Sequence, residues 1–375
     1  MKPENLNSFN TLSNLVGRGT NLVVQSTRMD FDSNTYVSEL WKRTNGVWKK
    51  FKSGDDNFSN PKFGTKPNSI YYVKTNRAVQ DKSKSKKTLS SIHVQIGKSI
   101  KQVFEIEGSV NNYSLSKDEK FMYVNTSEWS EEFKNIEKKD AEPMYYENLP
   151  FRFDTKGIIY NKRGHVYKVN LKTLKFNKIV DGDKSNIISI DSLAESKKGI
   201  AIAYNQYNSK GTMLEEKIGS LVGSKIKDIF SKGSMGNLFY YENDLYAVGL
   251  RNRFDWPTNT NILKISKTGK VSFKYHSLDR NIVKADVNDS KLYFLYEDSG
   301  KTLLRDATNN VDLVNQEITI KDFAFNEDKT YVIANSFSSP DEIYEVNDGQ
   351  LTKISKANEF FTKKVKTWNC TYPKN

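Results

Sequence analysis

The chain is poor in the residues that much enzyme chemistry needs. Its 375 residues include one cysteine, Cys370, and three histidines, His93, His165 and His276. A single cysteine excludes a disulfide framework and a thiolate metal centre. The histidines stand on distant segments with no i, i+4 or hairpin pairing, so neither a metal nor a cofactor is expected. No Gly-x-Ser-x-Gly nucleophile elbow occurs; Gly219-Ser220-Leu221-Val222-Gly223 puts leucine where the serine would stand. There is no run of 18 apolar residues, which excludes a membrane-spanning helix and argues against a membrane partner. The start, Met1-Lys2-Pro3-Glu4-Asn5, lacks the apolar core of a secretory signal, so a cytoplasmic location is expected. The sequons at Asn57, Asn112, Asn125, Asn288 and Asn369 then carry no secretory meaning.

What is present is a foldable, basic composition. Hydrophobic residues make up 37% and aromatic residues 12%, far above a solvated coil. Net charge is +13, which permits an anionic partner. Yet the lysines are spread along the chain and largely matched by acids. Only residues 82–87 cluster, and no aromatic alternates with them as a base-stacking platform requires. Nucleic acid is not the expected partner. That stretch reads as a solvated loop between two strands.

Periodicity carries the fold. Seven short apolar runs start at Leu22, Ile70, Phe121, Ile200, Leu245, Leu292 and Tyr331, at separations of 48, 51, 79, 45, 47 and 39 residues. Each is too short for a helix and rich in β-branched and aromatic side chains, the pattern of a strand buried on both faces. A polar turn precedes nearly every run, and hairpin turns such as Thr44-Asn45-Gly46 and Asn347-Asp348-Gly349 follow. Units of about 45 residues with about four strands each predict an all-β, seven-bladed propeller. A sandwich would lack this longer period. Six blades result if an end unit is incomplete.

The boundaries follow from the repeats: a lead-in over 1–20, the propeller over 21–368, and the start of a linker over 369–375. The lead-in has one weak strand-like run, Leu12 to Val16, and the last unit is expected to own its final strand, Phe360 to Trp368. No mixed strand is therefore expected to latch the termini. The 79-residue gap implies a charged insertion around 128–161, whose Trp129–Glu137 part has the makings of a short helix.

Three segments carry a family likeness. Pro150-Phe151-Arg152-Phe153-Asp154-Thr155-Lys156-Gly157 leads into His165-Val166-Tyr167-Lys168-Val169-Asn170. Ser338-Ser339-Pro340-Asp341-Glu342-Ile343-Tyr344 leads to Leu351–Ser355 and Asn358, and worn Ser-Pro-Asp-Gly-Lys turns stand at Ser116–Lys120 and Asn326–Lys329. Together they resemble the propeller of acylaminoacyl-peptidase-like members of the prolyl oligopeptidase family, nearest the archaeal branch that includes the trilobed protease. The resemblance implies a non-catalytic domain that gates short peptides to a following α/β-hydrolase domain, absent here, which would hold the catalytic triad. A free-standing interaction propeller is the alternative.

Gating residues implied by the resemblance would face that hydrolase. Glu128, Glu131, Glu132 and Asp140 in the insertion offer carboxylates for a peptide's amino terminus, against the ordinary reading of a solvated charged loop. Arg152 and Asp154 are placed to pair and brace the insertion's exit, with substrate contact by Arg152 as the gating alternative. Arg251, Arg253, Asp255 and Trp256 follow a buried run at its loop end, where they serve substrate contact or a cation–π support.

Overall fold

A computed structural model describes residues 3–77, 88–134, 145–154, 157–197, 199–223, 225–254, 258–275, 277–326 and 329–365. Within these, strands form seven four-stranded antiparallel sheets and one two-stranded hairpin. The seven sheets are the blades of a seven-bladed propeller, spanning 11–52, 56–107, 109–180, 187–230, 234–273, 282–312 and 319–353. In every blade the strands pair in chain order.

All seven apolar runs fall on the second strand of a blade, such as Asn21–Asp30 in blade 1 and Asp244–Leu250 in blade 5. These are interior strands of each sheet and bury both faces. Val23, Val73, Val124, Ile202, Ala247, Leu292 and Val332 are fully or almost fully enclosed. The hairpin turns follow their residue types. Asn45 and Gly46 take φ of 49° and 82°, and Asp348 and Gly349 take 48° and 80°. These left-handed pairs close two-residue turns between Thr44 and Val47, and between Asn347 and Gln350.

The chain forms two compact units, Met1–Glu105 with Tyr293–Asn375, and Ile106–Leu292. In the first unit, Leu12, Leu15, Leu22 and Val24 of blade 1 pack on Ala324, Tyr331, Ile333 and Ile343 of blade 7. Among the described residues, the strand Thr11–Arg18 pairs with Asn21–Asp30 and with no strand of blade 7. That strand lies inside the segment read from sequence as a lead-in.

The last blade corrects the sequence reading. Its final strand is Gln350–Lys353, and the chain from Glu359 to Lys364 is helical rather than extended. Glu359 and Lys363 pair at 3.0 Å across one helical turn, and Phe361 packs edge-on against Phe9 at 5.2 Å. Helical i, i+4 spacing, not alternation, explains the residues there.

In the second unit, blades 3 and 4 share a core of Val166, Val180, Ile187, Ile190 and Ile202, and blades 4 and 5 one of Ala203, Ile218, Leu238 and Leu263. The insertion leaves blade 3 between its second strand, Phe121–Trp129, and its third, Lys162–Asn170. It carries the hairpin of Arg152–Phe153 with Gly157–Ile158. Residues 131–134 make a single turn, with the Phe133 and Lys134 amides donating to Ser130 O. The rest of the expected helix, residues 135–137, lies outside the described residues.

Candidate functional site

In an antiparallel sheet paired in chain order, the second-to-third connection and the exit from the fourth strand leave by the same edge. In the second unit that edge collects the described parts of 130–161 of blade 3 and 251–260 of blade 5, together with 208–213 of blade 4. The insertion docks on its neighbour. Leu149 N donates to Gly211 O at 2.7 Å, and the Tyr207 hydroxyl donates to Pro150 O at 2.8 Å. Tyr146 stacks on Phe151 at 4.6 Å and meets Tyr160 edge-on at 5.3 Å. Gly211 has φ of +67°, in the left-handed region that favours glycine, and a Cβ there would have to displace Asn148 Oδ1.

Beneath the insertion lies a buried polar cluster. Glu128 is only 4% exposed, and its Oε1 accepts from the Thr126 hydroxyl at 2.7 Å and the Tyr167 hydroxyl at 2.9 Å. Burial and the adjacent Glu128 charge both raise the Tyr167 pKa. His165 is fully enclosed and faces Thr126 across the strand pair. Its Nδ1 accepts from Gly182 N at 3.0 Å, at the start of the short helix Gly182–Ser185 that Asp181 caps. Asp183 in turn accepts from Glu131 N at 3.2 Å, tying that helix to the insertion.

Donor atoms of His165, Asp181 and Asp183 lie within 4.8 Å of one another, close enough for a cation. The imidazole does not fit that role. A ring whose Nδ1 accepts a backbone N–H carries its one proton on Nε2, which faces Asp183 Oδ2 at 3.8 Å. A metal-bound histidine has the opposite arrangement, donating from the other nitrogen. Burial lowers the His165 pKa to about 4, so the ring is neutral near pH 7. The trio acts as a polar clamp on the base of the insertion.

The expected gating residues divide sharply. Glu128 faces inward and is committed to two hydroxyls. Glu131 and Glu132 are exposed on the first turn of the insertion, and Glu131 pairs with Lys134 at 2.6 Å. That hydrogen bond holds the Glu131 carboxyl below the usual range. Arg152 is exposed on its hairpin, and no ion pair joins it to Asp154, which belongs to the turn rather than the strand. Arg251 and Arg253 do come together, at the blade 5 connection: Arg251 lies over the Phe273 ring at 5.5 Å and Arg253 over Phe254 at 5.7 Å. Asp140, Asp255, Trp256, His276, Cys370 and residues 82–87 lie outside the described residues.

Sequence reading missed the clamp and one serine–histidine contact. The Asp181-Gly182-Asp183 string, a helix start after a strand, was the available signal for the clamp. In the first unit the Ser91 hydroxyl lies 3.0 Å from His93 Nε2, two residues apart on one strand. This is not a catalytic pair. Ser91 is buried, Tyr72 stacks on the ring at 5.6 Å, and no carboxylate among the described residues is within ion-pair distance of the imidazole.

The fold is that of the seven-bladed β-propellers with four-stranded blades. No protein-family profile and no curated protein matches the sequence. Among solved structures, an acylaminoacyl peptidase in complex with Z-Gly-Gly-Phe-chloromethyl ketone superposes with a TM-score of 0.75 at 16% identity, over 96% of this chain and 55% of that one. The Pyrococcus horikoshii acylaminoacyl peptidase gives 0.73 at 15%, over 96% and 55%. The β-propeller domain of the trilobed protease from Pyrococcus furiosus, described as having an open velcro topology, gives 0.65 at 13%, over 93% and 99%. This chain thus spans about half the length of the acylaminoacyl peptidases and nearly all of the isolated trilobed-protease propeller. At these identities the likeness defines the fold. No helix among the described residues is long and apolar enough to cross a membrane.

Proposed function

We propose that this chain is the propeller of a serine peptidase of the acylaminoacyl-peptidase type, where it gates short peptides to a C-terminal α/β-hydrolase domain. The observation that carries the reading is coverage. The chain matches 99% of an isolated protease propeller and 55% of peptidases that also carry catalytic machinery, one of them bound to a peptide chloromethyl ketone. The insertion supports it, because it is anchored by the polar clamp and the aromatic stack yet exposes Glu131, Glu132 and Arg152 at one edge of blades 3 and 4.

Peptide hydrolysis needs a nucleophile, an oriented base and oxyanion donors. Those are assigned to the hydrolase domain, and the propeller contributes selection. Two measurements test the assignment. The coding region after codon 375 is expected to encode an in-frame Gly-x-Ser-x-Gly hydrolase. The purified 375-residue chain is expected neither to cleave peptide p-nitroanilides nor to label with a fluorophosphonate. Stoichiometric serine labelling of this chain, or a stop codon with no adjacent hydrolase gene, contradicts the proposal.

A further inference from the structure

Three cations crowd one cavity at the blade 5 end of the second unit. The cavity encloses about 470 Å³ and is walled by Lys232, Arg251 and Arg253 together with Phe230, Phe254 and Val271. It forms where the chain leaves Lys225–Phe230 of blade 4 and where blade 5 turns after Asp244–Leu250. Arg253 N donates to Lys232 O at 2.9 Å, which draws the two segments and their side chains together.

The positive charge is poorly compensated. Arg253 Nη2 donates to Ser231 O at 3.0 Å and lies 3.7 Å from Glu215 Oε1, a carboxylate already shared with Lys217 at 3.8 Å. Arg253 Nη1 is buried with no hydrogen-bond partner. Among the described residues no carboxylate lies within ion-pair distance of Lys232 or Arg251. Lys232 and Arg251 are exposed, and the buried guanidinium nitrogen of Arg253 without a hydrogen-bond partner costs free energy, so the three cations together favour an incoming anion. The aromatic faces of Phe273 and Phe254 hold the two guanidinium groups, which lowers the ordering cost of a two-pronged contact.

The apolar walls narrow the anion. Phe230 and Val271 line the hollow, and Phe254 stands 71% exposed at it. A carboxylate attached directly to a carbon that bears an apolar side chain meets both halves. We propose that Lys232, Arg251 and Arg253 form a carboxylate pocket that holds the C-terminal residue of a short peptide ending in an apolar side chain. The choice of a peptide over other carboxylates rests on the gating function proposed above.

Direct binding to the 375-residue chain tests this without any hydrolase domain. The probe is an N-terminally fluorescein-labelled Gly-Gly-Gly-Phe followed by fluorescence anisotropy, compared with its C-terminal amide and with Gly-Gly-Gly-Gly. A charge-assisted contact of this kind corresponds to about tenfold in affinity, so the acid binds about tenfold tighter than the amide, and the Phe peptide tighter than the Gly peptide. R251Q and K232Q each weaken the acid by about fivefold to tenfold while leaving the amide and the melting temperature unchanged. Equal binding of acid and amide, or full affinity in both variants, overturns the proposal. So does competition by inorganic phosphate together with indifference to the Phe side chain, which would mark a general anion site. Failure of the gating function alone would leave the acid-over-amide preference intact.

Discussion

The side-chain amide of Asn358 takes the place of a strand against the backbone of Asn10. Asn358 Oδ1 accepts from Asn10 N at 2.7 Å, and its Nδ2 donates to Asn10 O at 2.9 Å and to Asp341 O at 2.7 Å. The Asn10 side chain returns a bond to Ala357 O at 2.8 Å. Two residues further, Leu12 N donates to Asp341 Oδ2 at 3.0 Å, and the Trp48 indole reaches Ile354 O at 2.8 Å. Blades 1 and 7 meet here through side chains inserted between backbones, and among the described residues neither blade lends the other a strand.

Asn358 is fully buried, and its removal strands an amide and two carbonyls. N358A is expected to lower stability by about 2–4 kcal/mol, read as a shift in the urea midpoint. A loss under about 0.5 kcal/mol would show that the apolar contacts between blades 1 and 7 suffice.

Glu128 is a structural acceptor in this account. E128A leaves the Thr126 and Tyr167 hydroxyls without their partner and is expected to cost about 2 kcal/mol. Peptide binding measured by anisotropy is expected to stay at the wild-type level. A stable E128A chain with altered peptide affinity would return Glu128 to the gating residues.

Acid acts through His165. Its pKa is about 6.5 unfolded and about 4 folded, so the unfolded chain binds the extra proton in between. Stability from this group is fully present above about pH 6.5 and is lost as pH falls toward 4, about 3 kcal/mol in all. Burial shifts His93 in the same direction. H165Q is expected to flatten the slope of stability against pH between 6.5 and 4, and an unchanged slope would exclude the clamp as its source.

The tautomer of His165 also predicts indifference to metals. A site of about 10 μM affinity would raise stability by about 2.7 kcal/mol at about 1 mM ion. Neither Zn²⁺ nor Mn²⁺ at that concentration is expected to shift the melting temperature, and EDTA is expected to leave it unchanged. A cation-dependent rise lost in D183N would overturn the assignment.

The blades were legible because their signal is local. A second strand buried on both faces writes an unbroken apolar run, as at Ile200–Tyr204, and a left-handed turn writes Asn-Gly or Asp-Gly. The closing helix was misread because Phe360 and Phe361 give an apolar pair that suits strand and helix alike. Its cap at Asn358 acts on Asn10, 348 residues away, which no local pattern records. The site was legible only in part. Charge and loop position pointed to Glu131, Glu132, Arg251 and Arg253. The inward turn of Glu128 depends on Tyr167 of another strand, and the place of Lys232 beside Arg253 depends on the packing of blade 5 on blade 4.

The gating role itself is tested most directly by peptide length. The chain expressed together with the hydrolase domain proposed to follow it is assayed on a series of peptides that share one scissile bond and grow from a few residues to an unfolded protein. The account predicts that kcat/KM falls steeply as the substrate outgrows a short peptide. A kcat/KM that stays flat across the whole series would contradict it.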